Sequence, residues 1–360
     1  MINLITPINN LGYGVAGYNF LKEIMRVDDR VTLYPIGNPE PVDTAGVVAN
    51  ALNNQLHYNP DYPCVKIWHQ FDLFQRVGRG KYFGFPIFEL DKFKKQEQVS
   101  LHHCDEIIVC SNWAKRVILA ETKFKDDEVH VVPLGVDNEL FKPLENVSTR
   151  SSTVFYTCGK WEKRKGHDVI VEAFNKAFSN NDNVELWLMC DNPFLVGQAR
   201  SIAEGWENLY KNSPMGDKIR LLPRQKTQKD VYNIMRLTDV GLFPARAEGW
   251  NLELLEMLSI GKHVITTNYS AHPDFCNERN AMMIEITNME TAFDGVFFKG
   301  NTGRWAEIAE PQMDQLIEHM RNIHERKQNG TLELNREGIE TGRKFSWFNA
   351  AKELINVCRI

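Results

Sequence analysis

The chain has 360 residues, 43% of them apolar and 25% charged, with a formal net charge of −5. That length suggests two domains, each able to bury a core, and the acidic balance excludes a protein whose whole surface is a nucleic-acid footprint, though not a local basic groove. MINLITPINN has neither the basic nor the apolar region of a signal peptide, no apolar run approaches the ~20 residues of a membrane span, and seven cysteines without CxxC spacing fit a reducing setting, so a cytoplasmic location is expected.

Strands are expected at 2–6, 31–36, 65–68, 106–110 and 129–133, with helices near 14–26, 93–103 and 112–120 between them. The polar stretch 145–152 reads as a linker. A second series follows, with strands at 153–158, 184–190, 218–222, 240–243 and 263–267 and helices near 168–179, 199–212, 228–236 and 252–260. After residue 305 the pattern is helical and polar, and it ends in FSWFNAAKELINV. Short β-branched runs alternating with amphipathic ones mean parallel sheets covered by helices on both faces. The expectation is an α/β chain of two doubly wound domains, 1–145 and 152–335, followed by a C-terminal helical segment, 336–360. Ligands of such sheets bind beyond the carboxyl ends of the strands, so the expected site is the cleft between the domains.

Three stretches could carry chemistry. Gly12, Gly14 and Gly17 make a GxGxxG spacing between a strand and a helix, which lets backbone N–H groups approach an anion. The same spacing also serves tight strand–helix packing, and no acid follows the next strand as a ribose partner for a dinucleotide. In GKWEKRKGHDVIVEAF (159–174), Lys160, Lys163, Arg164 and Lys165 precede a helix and are framed by Gly159 and Gly166. That unit suits phosphates, against the alternative of a solvated charged loop. In AEGWNLELLEML (247–258), Leu254, Leu255 and Leu258 form a buried helix face. Glu253 suits the helix start, and Glu248 and Glu256 are acceptors for vicinal hydroxyls. Lysines for a diphosphate beside carboxylates for hydroxyls describe a nucleotide-sugar site. His102-His103-Cys104-Asp105 is not expected to hold a metal, because adjacent residues point in different directions.

These stretches in order, with VVPLGVDNELFKP (131–143), DVGLFPARAEGWNLELLEMLSIGKHVITTNYS (239–270) and its E-x7-E pair Glu248 and Glu256, resemble one family. It is the large retaining family "glycosyl transferases group 1", which includes sucrose-phosphate synthases and lipopolysaccharide mannosyl- and glucosyltransferases. CDEIIVCSNWAKRVIL (104–119) and FSW (345–347) match less specifically. The resemblance implies the GT-B fold: two Rossmann-like domains facing across a cleft, with C-terminal helices packing back on the N-terminal domain. It implies transfer of a sugar, with retention, from a nucleoside-diphosphate sugar (UDP-sugar favoured) to a hydroxyl, without metal or cofactor. It assigns Glu248 to the donor sugar and Glu256 to the ribose hydroxyls. Backbone N–H groups of Trp250, Asn251 and Leu252 would meet the sugar or diphosphate, Lys160 and Lys165 would neutralise the diphosphate, and Gly14 would lie under the phosphates. His69 matches a histidine near the reacting sugar and Glu89 a glutamate of acceptor-side or structural role. Three positions depart from the family pattern: Lys160 stands for Arg, Asn251 for Gly and Glu253 for a frequent Pro. These leave the sugar's identity open.

On the acceptor side, FQRVGRGKYFGF (74–85) brings Arg76, Arg79 and Lys81 among aromatics, followed by DKFKK. A basic aromatic loop suits an anionic acceptor, and a solvated surface loop is the alternative. The acceptors weighed are a glycan, a lipid-linked sugar and a modified DNA base, as in phage-type DNA glycosyltransferases. A sugar-nucleotide epimerase of the same fold and a non-catalytic binding protein are the competing functions.

Overall fold

The computed structural model describes residues 2–40 and 46–359, the side chain of Gln198 left aside. The chain divides into two units, one ending at Asp137 and rejoined by the segment from Lys344, the other Asn138–Arg343. Residues 145–152 therefore fall inside the second unit.

The first unit runs β1 (Asn3–Thr6), α1 (Gly12–Val27), β2 (Thr32–Pro35), α2 (Val47–Asn53), β3 (Cys64–Ile67), β4 (Tyr82–Phe85), α3 (Lys95–Leu101), β5 (Glu106–Val109), α4 (Asn112–Glu121) and β6 (Val129–Val131). The strands pair in parallel in the order β2-β1-β3-β4-β5-β6. β1, β3 and β4 are buried at every position, as strands covered on both faces must be. Strand β4 was not expected, because Tyr82–Phe85 close the stretch read as a basic loop. A side chain at Gly84 would bring Cβ to 2.6 Å from the Cys104 sulfur, so only glycine fits this strand interior. The order reverses at β1, which places the switch point between the carboxyl ends of β1 and β3.

The second unit runs β7 (Thr153–Gly159), α5 (His167–Ala177), β8 (Val184–Cys190), α6 (Arg200–Lys211), β9 (Ile219–Leu221), α7 (Gln228–Met235), β10 (Val240–Phe243), α8 (Leu252–Ser259), β11 (His263–Thr267), β12 (Met282–Ile284), β13 (Met289–Phe293), β14 (Lys299–Ala306), α9 (Glu310–Gln328) and α10 (Arg336–Lys344). Its parallel sheet has the order β12-β11-β10-β7-β8-β9, and β13 and β14 form a separate antiparallel hairpin. Phe155, Ile170, Phe174, Leu186, Leu188, Leu316 and Ile323 fill the core on one face of the sheet. Each such side chain contributes roughly 1.5–3 kcal/mol of transfer free energy on burial. The chain lays β7, β8 and β9 outward, then returns to the other side of β7 with β10, so the switch point lies between β7 and β10. Neither β12 nor the hairpin was expected from the sequence.

The last helix, α11 (Trp347–Cys358), belongs to the first unit and packs on α1, with the Phe20 and Trp347 rings 5.3 Å apart. The two less specific stretches explain that return. Val136 N–H donates to Phe345 O (2.9 Å), Trp347 N–H donates to Val136 O (3.3 Å), and Ser346 caps α11 by accepting from Asn349 N–H (3.2 Å). A Cβ at Gly135 would sit 2.2 Å from the Trp347 nitrogen, so the crossing requires glycine. Of the C-terminal helices only α11 returns. α10 stays with the second unit, where Gly342 lies against Ser259. Among the described residues no helix is long and apolar enough to cross a membrane. The seven cysteines are buried and form no disulfide.

Candidate functional site

At the switch point of the second sheet, the loop after β7 (160–166) meets the loop after β10 (244–251). The first loop makes a 3-10 turn at Lys163–Lys165, then passes through Gly166 at φ 80° into α5. A Cβ at Gly166 would lie 2.3 Å from the Pro244 carbonyl oxygen, so glycine permits both the left-handed backbone and the contact with the second loop.

The basic run does not behave as one solvated patch. Arg164 is 4% exposed and the Lys165 side chain 12%, whereas the Lys160 side chain is more than a third exposed and lies 4.8 Å over the Phe194 ring. Arg164 donates through Nε and Nη2 to one Glu162 oxygen (3.1 and 2.9 Å) and through Nη1 to Ala247 O (2.7 Å). Glu248, 5% exposed, pairs through Oε2 with Arg164 Nη1 and through Oε1 with Lys165 Nζ, each at 2.9 Å. Glu253, at the start of α8, reaches Lys165 at 3.9 Å. Burial works against the Lys165 charge, but Glu248 and then Glu253 outweigh it and hold the ammonium above its ordinary range.

For Glu248, burial raises the carboxyl, but Arg164 and Lys165 overcome it and set the group at about 2, against an ordinary 4.5. The folded value lies below the unfolded one. The stabilisation from ionised Glu248 is therefore complete above pH 4.5 and is lost as pH falls toward 2. Its size is about 3 kcal/mol. In denaturant unfolding between pH 5 and 2, the stability gap between wild type and Glu248→Gln is expected to close across that window. A gap independent of pH would contradict the assignment.

Asn251 takes the position where the family pattern has glycine, and its φ of 90° gives the reason: the chain enters α8 through a left-handed residue. Asparagine tolerates this conformation better than most residues. Its side-chain oxygen accepts from Leu254 N–H (3.3 Å) and its amide faces His272 Nε2 (3.1 Å). The departure is thus spent on capping the helix. Burial keeps His272 neutral, its pKa near 4, so Nε2 accepts from Asn251 while Nδ1 faces Thr266 Oγ1 at 2.9 Å. The Trp250 ring is buried against Phe275, and Glu256 is buried one turn into α8, which begins at Leu252.

In the first unit, Gly14 and Gly17 are accounted for by packing: a Cβ at Gly14 would lie 2.4 Å from the Asn9 nitrogen, and one at Gly17 2.6 Å from Pro7 O. Between them and β3 sits an aromatic group. The Tyr13 ring lies 4.6 Å from His69 and 5.3 Å from Trp68, and His69 stacks on Phe71 at 5.0 Å. The Tyr13 hydroxyl donates to Ile87 O (2.7 Å), two residues before Glu89, and accepts from Ile87 N–H (3.0 Å). His69 and Tyr13 therefore stand at the first sheet's switch point.

The cations of 74–85 are each met by a neighbouring acid. Arg79 pairs with Asp61 (2.5 Å), Lys81 with Glu106, and Arg76 donates to Gly80 O (2.6 Å) and lies 3.8 Å from Asp105. The stretch is a buried strand preceded by paired charges, so it offers an anion less than its sequence suggests. The sequence shows Arg164 only as one of a basic run and does not single out Glu162, Arg246, Asp168, His272 or Glu290. Arg246 was visible within PARAEGW; Glu290 carried no local signal.

Residues 152–296 match the model of the family described as glycosyl transferases group 1. A phosphatidylinositol N-acetylglucosaminyltransferase GPI3 subunit from Saccharomyces cerevisiae is 21% identical over 196 residues, 53% of this chain and 41% of that protein. A UDP-Gal:alpha-D-GlcNAc-diphosphoundecaprenol alpha-1,3-galactosyltransferase from Escherichia coli is 26% identical over 200 residues, 52% of this chain and 49% of that one. The chain thus spans two fifths to one half of the length of these two relatives. Among solved structures, a sucrose-phosphate synthase from Thermosynechococcus elongatus superposes with a TM-score of 0.70 at 13% identity, covering 99% of this chain and 98% of that one, a likeness in fold.

Proposed function

From the premise that residues 152–296 form a domain of the glycosyl transferases group 1 family, we propose that this chain is a glycosyltransferase moving a sugar from a nucleoside-diphosphate sugar to a hydroxyl acceptor. The observation that carries the reading is the Arg164–Glu248–Lys165 cluster at the switch point of the second sheet, with Arg164 and Glu248 buried and Lys165 largely so. A carboxylate and an ammonium held together in low dielectric form one place where a diphosphate can draw on Lys165 and a sugar hydroxyl on Glu248. The N-terminal N–H groups of α8, around Trp250, Asn251 and Leu252, supply positive potential for the same anion. Exposed Lys160 adds a second charge and Glu256 takes the ribose hydroxyls. The resemblance gives Gly14 a role toward the phosphates and His69 one toward the reacting sugar, and the place of His69 beside Tyr13 at the first sheet's switch point supports the second.

In this reading the donor is a UDP-sugar and transfer proceeds with retention. The acceptor hydroxyl attacks the anomeric carbon on the face the diphosphate leaves, through an oxocarbenium-like state. The departing phosphate oxygen takes the hydroxyl proton, so no protein nucleophile and no metal is assigned. Lys165 and the helix N-terminus stabilise the charge that develops on the leaving diphosphate. The pairing of the 76–81 cations with acids favours a neutral glycan over a strongly anionic acceptor such as a nucleic acid.

Incubation with UDP-, GDP- and ADP-sugars, with and without glycan, lipid-linked and hydroxymethylated DNA acceptors, tests this reading by nucleotide release and by NMR of the product. The expected result is release from a UDP-sugar and a retained anomeric configuration. Inversion would overturn the mechanism, and sugar conversion without acceptor would make the chain an epimerase.

A further inference from the structure

Two buried arginines tie the donor loops together, each reaching from its own loop into the other. Arg164, on the loop after β7, donates to Ala247 O and pairs with Glu248 on the loop after β10. Arg246, on the loop after β10, donates to Lys163 O (2.7 Å) and holds both oxygens of Asp168, in the first turn of α5, at 2.8 Å. The backbone adds Arg246 N–H to Arg164 O at 2.7 Å. The remaining anchor lies elsewhere in the chain. Arg246 Nε donates to Oε1 of Glu290 on β13 at 2.9 Å, and the same oxygen accepts from the Trp305 indole on β14 at 2.8 Å. Ala306 N–H also donates to Arg246 O at 2.9 Å.

We propose that Arg246 and Glu290 are positioning residues for the donor, and that the β13–β14 hairpin braces the two donor loops through them. The proposal rests on the nucleotide-sugar reading above. Only a planar guanidinium meets this geometry, since one face of its fork takes Asp168 while Nε takes Glu290. Loss of Glu290 leaves Arg246 with Asp168 and Lys163 O, so the fold keeps its staple, but the arginine can shift. Glu248 sits two residues along the same loop and shifts with it. A small misplacement of Glu248 is felt in donor binding, because the groups that hold a ligand must keep their geometry.

A matched cluster supplies the control. Glu185, at the amino end of β8 and away from both loops, also accepts from an indole, Trp187 Nε1 (2.9 Å), and pairs with Arg150 and Arg220. Calorimetric titration of UDP, GDP and ADP into wild type, Glu290→Gln, Trp305→Phe and Glu185→Gln, with melting temperatures, tests the proposal. Glu290→Gln is expected to weaken binding of the preferred diphosphate about tenfold and to raise KM for the corresponding glucose donor by the same factor, with kcat within about twofold. Glu185→Gln lowers the melting temperature comparably and leaves both constants unchanged. Trp305→Phe, which removes only the indole donor, shifts KM in the same direction and serves if Glu290→Gln does not fold. Equal affinity for wild type and both hairpin variants overturns the brace and leaves the proposed function standing. A wild type that binds none of the three nucleotides overturns the proposed function, and the brace with it.

Discussion

Glu248→Ala is expected to lower donor turnover by at least about a hundredfold, and stability with it. The carboxylate is the anion shared by buried Arg164 and largely buried Lys165. Its removal takes the nearest counter-ion from Lys165, which keeps Glu253 at 3.9 Å, while Arg164 keeps Glu162 at 2.9 Å, so the cost falls at the low end of the roughly 3–5 kcal/mol of a broken buried pair. Glu248→Gln keeps the shape and one acceptor oxygen, so it separates the two effects: it loses turnover while recovering part of the stability. Nucleotide release and denaturant unfolding on the three proteins give the result. A Glu248→Ala protein with full turnover would mean that the cluster only holds the fold, and the non-catalytic reading would take its place.

The second large effect belongs to Gly166. Alanine there meets a left-handed backbone at φ 80° and brings Cβ to 2.3 Å from the Pro244 carbonyl oxygen. That oxygen is backbone, so no rotamer change relieves the contact and the two loops must part. The combined cost is roughly 2–4 kcal/mol. Gly330→Ala isolates the conformational part, because Gly330 has φ 68° with nothing within 4 Å of its Cβ position. Thermal unfolding is expected to rank Gly166→Ala well below Gly330→Ala, and only the former should lose diphosphate affinity. Equal melting temperatures would show that the loops yield easily and that their contact does not organise the site.

Much of the fold was legible because parallel sheets leave a strong trace. Strands such as VELWLMC must be apolar on both faces, and their alternation with amphipathic helices is a local pattern. The misses share one cause. Tyr82–Phe85 is a central strand whose composition is masked by neighbouring arginines and glycines, and its burial depends on Cys104 and Leu73 packing over Gly84. The β13–β14 hairpin carries three glycines and exposed aromatics, and only its pairing makes it regular. At the site, the glutamates and lysines stood out by type and spacing. In the run Lys163-Arg164-Lys165, however, nothing local says which side chain turns inward.

Composition and hydrophobic period alone determined that this chain builds two doubly wound α/β units, because those signals are carried by residues a few positions apart. The charged stretches likewise marked where a phosphate and a sugar could be held. Only the tertiary structure decided how the charges are used. It made Glu248 the common partner of Arg164 and Lys165, turned Asn251 into a helix cap, set acids beside the 76–81 cations, and linked Glu290 to a loop 44 residues earlier in the chain. Ion pairs act through distance in space. Residues far apart in sequence meet only after the sheet order has brought their strands together.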